Sequence, residues 1–202
     1  IRSCLVGSEM CIRDSFCGAH TGNNPNYETA ARIFTKEIAN KKINVVFGGG
    51  NVGLMNVISN VALEGGVKVT GILLKSLSEL ELVNPNISER ILTETLLDRK
   101  DEFMKRSDAF VVLPGGVGSM DELFEILANN QLGMINKPLG ILNTDGYYDD
   151  LLSWFTKALD EGFVSKKNFN EIIISDDPIQ LVDKILSHEL PTEGGWKDRL
   201  GL

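Results

Sequence analysis

Several things are scarce in this chain of 202 residues, and each scarcity removes a class of explanation. The three cysteines, Cys4, Cys11 and Cys17, stand near the start and none follows. An odd number without later partners argues against a disulfide framework and for a reducing compartment. No C-x-x-C pair exists and the only histidines are His20 and His188, so a zinc site lacks ligands and no metal is expected. No apolar run reaches the ~18 residues of a membrane span, so no membrane partner is expected. The first residues also lack the unbroken apolar core of a signal peptide, and a cytoplasmic protein is expected. Positive charge is in the minority, with 20 Lys+Arg against 28 Asp+Glu and a net charge of −8. That balance argues against a broad nucleic-acid face but leaves room for a local basic pocket around one phosphate. What is present is ordinary for a folded domain: 43 % hydrophobic and 24 % charged residues.

Residues 1–15 (IRSCLVGSEMCIRDS) show no period of 2 or 3.6. Arg13, Asp14 and Ser15 stand where a buried strand should lead into Phe16-Cys17-Gly18. This stretch is therefore set aside as a non-native or disordered segment. Residues 16–190 are expected to form the domain, and residues 191–202, polar and Gly-rich, a flexible tail. Within the domain, strand signals at 43–47, 67–74, 91–96, 109–113, 138–142 and 171–174 alternate with helical stripes. The helices are expected at 25–40, 51–64, 98–106, 118–132, 147–161 and 178–188. Such alternation implies a single doubly wound, Rossmann-like α/β domain with a mostly parallel sheet. Ligands in such sheets bind beyond the carboxyl ends of the strands, which singles out loops 17–24, 48–53 and 114–119.

Two of these loops are rich in glycine. Gly48-Gly49-Gly50-Asn51-Val52-Gly53 matches G-x-G-x-x-G between a strand and a helix, where bare backbone can approach a phosphate. A dinucleotide site needs an acidic residue at the end of the next strand, but Lys75 follows Leu74 there. A mononucleotide phosphate site is favoured over that, and a tight turn without ligand remains open. Pro114-Gly115-Gly116-Val117-Gly118-Ser119-Met120-Asp121-Glu122 again runs from a strand into a helix, with the Ser119 hydroxyl near its positive end. Neighbours on a helix point about 100° apart, so Asp121 and Glu122 cannot both face one ligand. The apolar stripe of Met120, Leu123, Phe124 and Leu127 leaves open which of the two does.

The 114–122 segment closely resembles the P-G-G-x-G-T-x-x-E motif of the LONELY GUY (LOG) family, and Gly48 to Met55 resembles its G-G-G-x-x-G-L-M loop. Phe16-Cys17-Gly18-Ala19 with Gly22-Asn23-Asn24-Pro25 and Tyr27 resembles its opening F-C-G-S…G-N-x-P-x-Y segment, and Arg99-Lys100 matches its R-K pair. Gln131-Leu132-Gly133, Lys137-Pro138 and Gly146-Tyr147-Tyr148 also look familial. The resemblance runs from Phe16 to about His188.

The resemblance implies a hydrolase that splits the N-glycosidic bond of an N6-modified adenosine 5′-monophosphate, or plain AMP, into base and ribose 5-phosphate. It implies Glu122 and Arg99 as the catalytic residues. Glu122 stabilises an oxocarbenium-like sugar or orients water. Arg99 either holds Glu122 ionised or binds the side of the leaving base. Phosphate and substrate binding falls to Gly49, Gly50, Gly53, Met55, Lys100, Gly116, Gly118 and Ser119, while Gly115 shapes the turn. No cofactor is needed, the partner is a small nucleoside monophosphate, and relatives pair as homodimers with shared pockets. Helices 98–106 and 118–132 are the candidate interface. Members have long carried the description lysine decarboxylase, but no lysine-centred pyridoxal site is visible among these motifs. The rival reading is a non-catalytic nucleotide or molybdenum-cofactor carrier, for which an Arg99–Glu122 pair has no use.

Some positions depart from the family pattern. Ser119 replaces the usual Thr and keeps the hydroxyl, Asp121 stands where many relatives have Glu, and Ala19 replaces a Ser, removing one hydroxyl. His20 either compensates for Ala19 or is simply exposed, with exposure favoured. Cys17 lies near the pocket, but a thiolate needs a fixed base or cation, so packing is the favoured role. His188 reads as structural or solvent-facing.

Overall fold

The structure is a computed structural model that describes residues 11–78 and 83–189. Strand β1 (Cys11–Phe16) leads to α1 (Pro25–Asn40), β2 (Asn44–Phe47), α2 (Gly53–Glu64), β3 (Val69–Leu74) and the short α3 (Lys75–Ser78). Then come β4 (Glu89–Thr93), α4 (Leu96–Arg106), β5 (Ala109–Val112) and α5 (Val117–Leu132). The chain closes with β6 (Leu139–Leu142), a single 3₁₀ turn at Thr144–Gly146, α6 (Asp149–Asp160), α7 (Lys166–Asn170), β7 (Ile172–Ser175) and α8 (Pro178–Ser187).

Among the described residues the strands form one sheet in the order β4-β3-β2-β1-β5-β6-β7. Every adjacent pair is parallel. The order reverses at β1, which pairs with β2 on one side and β5 on the other, so the switch point lies there.

The expected boundary at residue 16 therefore needs correction, because residues 11–16 are the central strand. The polar run Arg13-Asp14-Ser15 does not prevent this, since ladder hydrogen bonds come from backbone and are indifferent to side-chain type. The register slips between Arg13 and Phe16, a local irregularity in the pairing with β5. Residues 1–10 and the expected tail lie outside the described residues.

Side chains alternate between two apolar layers, as the period of two in a strand requires. Val45, Phe47, Val69 and Val111 pack with Ala31, Phe34 and Ile38 of α1, Ile58 of α2 and Val182 of α8. Phe110, Val112, Leu139 and Ile141 pack with Leu123 and Ile126 of α5 and Phe155 of α6. Val46 and Ile72 pack with Phe103 of α4 on that second side. Covering on both faces explains why β5 is buried at every position.

The strand expected at 91–96 ends sooner, at Thr93, because α4 starts with a capping box. The Asp98 N–H donates to Thr95 Oγ1 at 3.1 Å, and the Thr95 N–H donates to Asp98 Oδ2 at 3.2 Å. The expected helix at 147–161 begins two residues later, after the 3₁₀ turn. The two shortest helices, α3 and α7, were not expected at all.

Candidate active site

The loops after β1, β2 and β5 leave adjacent strands at the same sheet edge and are tied together by backbone. Gly18 is the knot: its N–H donates to the Pro114 oxygen at 3.0 Å, and its own oxygen accepts from the Leu54 N–H at 3.1 Å. Gly53, with φ of +53°, lies so close that a Cβ there would overlap backbone atoms of Ala19 and His20. A cavity of about 610 Å³ opens beyond this junction. Residues 17–22 and 114–119 line it, together with Tyr27, Met55, Arg99, Glu122 and Tyr147.

The second turn presents bare backbone to that space. A Cβ on Gly116 or Gly118 would meet nothing within 4 Å. Gly116 is the N-cap residue of α5, and no side chain caps the helix start. An uncapped helix start offers N–H donors and the positive end of the dipole to an anion. Ser119 is buried and its hydroxyl lies over Gly115, where a Cβ would collide with it.

Glu122, and not Asp121, turns toward the cavity. Ser119 and Glu122 are three residues apart and share a helix face, and both are buried, at 4 % and 8 % exposure. Asp121 is exposed and pairs with Lys100 at 3.0 Å. This resolves the alternative that the apolar stripe left open. The signal was the spacing from Ser119, not the hydrophobic pattern.

Arg99 reaches the site from α4. Its Nη1 donates to Glu122 Oε1 at 3.3 Å, and its Nε donates to the Ile72 oxygen at 3.0 Å. The guanidinium lies over the Phe103 ring at 4.9 Å. Burial lowers its pKa from the ordinary arginine value, and Glu122 opposes that shift. Arginine still keeps its charge under all ordinary conditions. The pair is thus a largely desolvated plus–minus contact in the cavity wall, where electrostatic interactions are stronger than in water.

The first glycine loop packs closely against its neighbours. Gly49, Gly50 and Gly53 do not line the cavity. A Cβ on Gly48 would collide with Arg99 Nη2, and one on Gly50 with Met55 Cε. Gly49, at φ of +78°, would press its Cβ into Leu73. These glycines let Arg99, Met55 and the 17–22 loop close in behind the pocket. Met55 lines the cavity, and so do Gly116, Gly118 and Ser119. Lys100 does not: its ammonium bridges Glu125 at 2.8 Å and Asp121 at 3.0 Å, clamping α4 to α5. The hydrogen bond to Glu125 leads the causes that raise its pKa from the usual 10.5.

His20 is exposed at the cavity edge, and Cys17 is buried in its wall. His188 lies elsewhere, 3.2 Å from Glu171. Tyr27 and Tyr147 also line the cavity, and their places in the Gly22…Tyr27 and Gly146-Tyr147-Tyr148 segments are the signal for them in the sequence. No lysine is among the residues lining the cavity. A separate cavity of about 200 Å³ lies between α5, α6 and α7 and is walled mainly by carbon, with none of the expected site residues in its lining.

A family model described as "Possible lysine decarboxylase" matches residues 55–185. A cytokinin riboside 5′-monophosphate phosphoribohydrolase of Arabidopsis thaliana is 42 % identical over 95 % of this chain and 88 % of its own length. The chain belongs to the LONELY GUY family. A probable enzyme of the same name from Oryza sativa subsp. japonica is 39 % identical over 87 % of this chain and 75 % of its own. Among solved structures, a molybdenum cofactor binding protein from Rippkaea orientalis superposes with a TM-score of 0.67 at 23 % identity, covering 90 % of this chain and 99 % of that one. The carrier protein for that cofactor from Chlamydomonas reinhardtii superposes with a TM-score of 0.67 at 21 % identity over 90 % of this chain and all of its own. At that identity the likeness shows a shared Rossmann-like fold. No helix of the described residues is long and apolar enough to cross a membrane.

Proposed function

We propose that the chain hydrolyses the N-glycosidic bond of nucleoside 5′-monophosphates, with AMP or its N6-modified forms as substrate class. The observation that carries this reading is a buried carboxylate, Glu122, one helical turn beyond an uncapped glycine turn and 3.3 Å from a partly buried guanidinium. The turn at 114–119 receives the 5′-phosphate through its exposed backbone and the Ser119 hydroxyl. That places the ribose against the Glu122 side of the cavity.

Breaking the bond from C1′ to the base nitrogen leaves positive charge on the sugar ring. A carboxylate already placed beside the ring stabilises that charge as it develops, with no reorganisation at the moment of reaction. Glu122 also orients the water whose oxygen bonds to C1′, while the leaving base takes up the proton. Arg99 fixes the carboxylate position through its 3.3 Å contact with Glu122. The similarity to phosphoribohydrolases of 42 % identity supports this chemistry. A carrier has no use for a buried acid at the reacting bond.

The pocket is expected to be completed by a second copy of the chain. Leu96 and Leu97 on α4, Val117 and Leu132 on α5, and Met134 beyond it are large apolar side chains exposed at 51 % or more. Apolar exposure of this kind on two neighbouring helices fits a self-association face.

The decisive test is incubation with AMP and isopentenyladenosine monophosphate, with the nucleosides as controls, followed by detection of free base. Release from the monophosphates and not from the nucleosides is expected. Glu122→Ala should lower kcat by at least about a hundredfold, the scale of a lost electrostatic group, while still binding nucleotide. Unchanged turnover in that variant would refute the mechanism.

A further inference from the structure

The turn between β5 and α5 contains three successive carbonyls, and each is held from outside the turn. The Tyr148 hydroxyl donates to the Leu113 oxygen at 2.6 Å. The Gly18 N–H donates to the Pro114 oxygen at 3.0 Å. The Tyr147 hydroxyl donates to the Gly115 oxygen at 2.6 Å.

We propose that Tyr147 is a positioning residue that holds the Gly115 carbonyl turned away from the bound phosphate. In a trans peptide the carbonyl and the next N–H point to opposite sides of the chain. Anchoring the Gly115 oxygen on Tyr147 therefore directs the Gly116 N–H to the other side of the peptide. This peptide has glycine at both ends, so nothing in its own side chains prevents rotation. A rotated carbonyl would set a negative oxygen against an anion where a donor is needed. The tyrosine hydroxyl supplies the restraint that the glycine sequence lacks.

The ring that carries this hydroxyl packs against two other tyrosine rings. Tyr27 meets it edge-on, with centroids 5.4 Å apart, and Tyr148 does so at 4.8 Å. The preceding 3₁₀ turn is tied to the start of α1, where the side-chain amides of Asn24 and Asn26 each donate to Asp145 Oδ2 at 2.7 Å. The 24–26 segment is thus linked through Asp145, and along the chain through Tyr147, to the turn.

The role rests on the reading of residues 114–119 as the phosphate site, so the test separates the two. Ribose 5-phosphate is titrated calorimetrically into the intact protein and into Tyr147→Phe, which keeps the ring and loses one hydroxyl. Thermal unfolding of both confirms that the variant is folded. About tenfold weaker binding is expected in the variant, the upper end for one hydrogen bond. The KM for AMP should rise by a similar factor while kcat falls less, and the preference for AMP over adenosine should narrow. Equal affinity for ribose 5-phosphate overturns the positioning role, whether or not the unmodified protein turns over AMP. No base release by an unmodified protein that still binds ribose 5-phosphate more tightly than the variant overturns the hydrolase reading and sustains the positioning role. An unmodified protein that binds no ribose 5-phosphate overturns both.

Discussion

Glycine has two unlike uses at this site, and single residues separate them. At Gly53 the backbone is left-handed and a Cβ would overlap Ala19 and His20, so the missing side chain permits two loops to touch. At Gly116 a Cβ would meet nothing within 4 Å, so the missing side chain keeps the turn open to a ligand. Gly53→Ala is therefore expected to lower stability by about 2 kcal/mol or more, from strained backbone and a clash with main chain. Gly116→Ala should change stability by less than about 0.5 kcal/mol. Urea denaturation of the two variants checks the contrast, and equal losses would contradict it. The family resemblance implies phosphate or substrate binding for both glycines, because a glycine motif does not say which side of the chain the bare Cα faces.

At the scale of elements, helix starts and ends are settled by side chains that a motif search passes over. Asn24 caps α1 and Asp177 caps α8, each just before a proline. Lys137 sits in a marked Lys-Pro pair, yet its ammonium donates to the Met104 and Ser107 oxygens and so closes the C-terminal end of α4. Asp145, left-handed at φ of +50°, accepts from Asn26 and Asn24, which hold its carboxyl below its ordinary value of 3.8. A carboxyl depressed in the folded state is stabilising above its unfolded pKa, and that contribution disappears as pH falls through the folded value. Stability should therefore fall with acid below about pH 4 partly through this group. Asp145→Asn should show a shallower dependence of unfolding midpoint on pH in that range and no change in slope near neutrality. An identical slope in both proteins would show that the amide contacts do not act on Asp145 in solution.

At the scale of the whole molecule, the sheet reverses direction at β1 and so brings three loops to one edge. The self-association expected from the exposed leucines and valine of α4 and α5 is a property of this scale too. Light scattering should give a dimer mass for the intact protein, and Leu97→Glu should shift it toward the monomer by burying a charge in an apolar contact. A monomer mass for the intact protein would end the shared-pocket reading, and an unshifted dimer in the variant would move the interface elsewhere.

The alternation of strands and helices, the parallel sheet and the two glycine turns could all be read from the chain, because periodicity and turn chemistry are local. The central strand at residues 11–16 could not, since its pairing comes from backbone that carries no side-chain signature. Nor could the removal of Lys100 to an α4–α5 clamp, or the approach of Tyr147 to Gly115. Those depend on which residues distant in the chain come within about 3 Å of one another, and only the packed fold decides that.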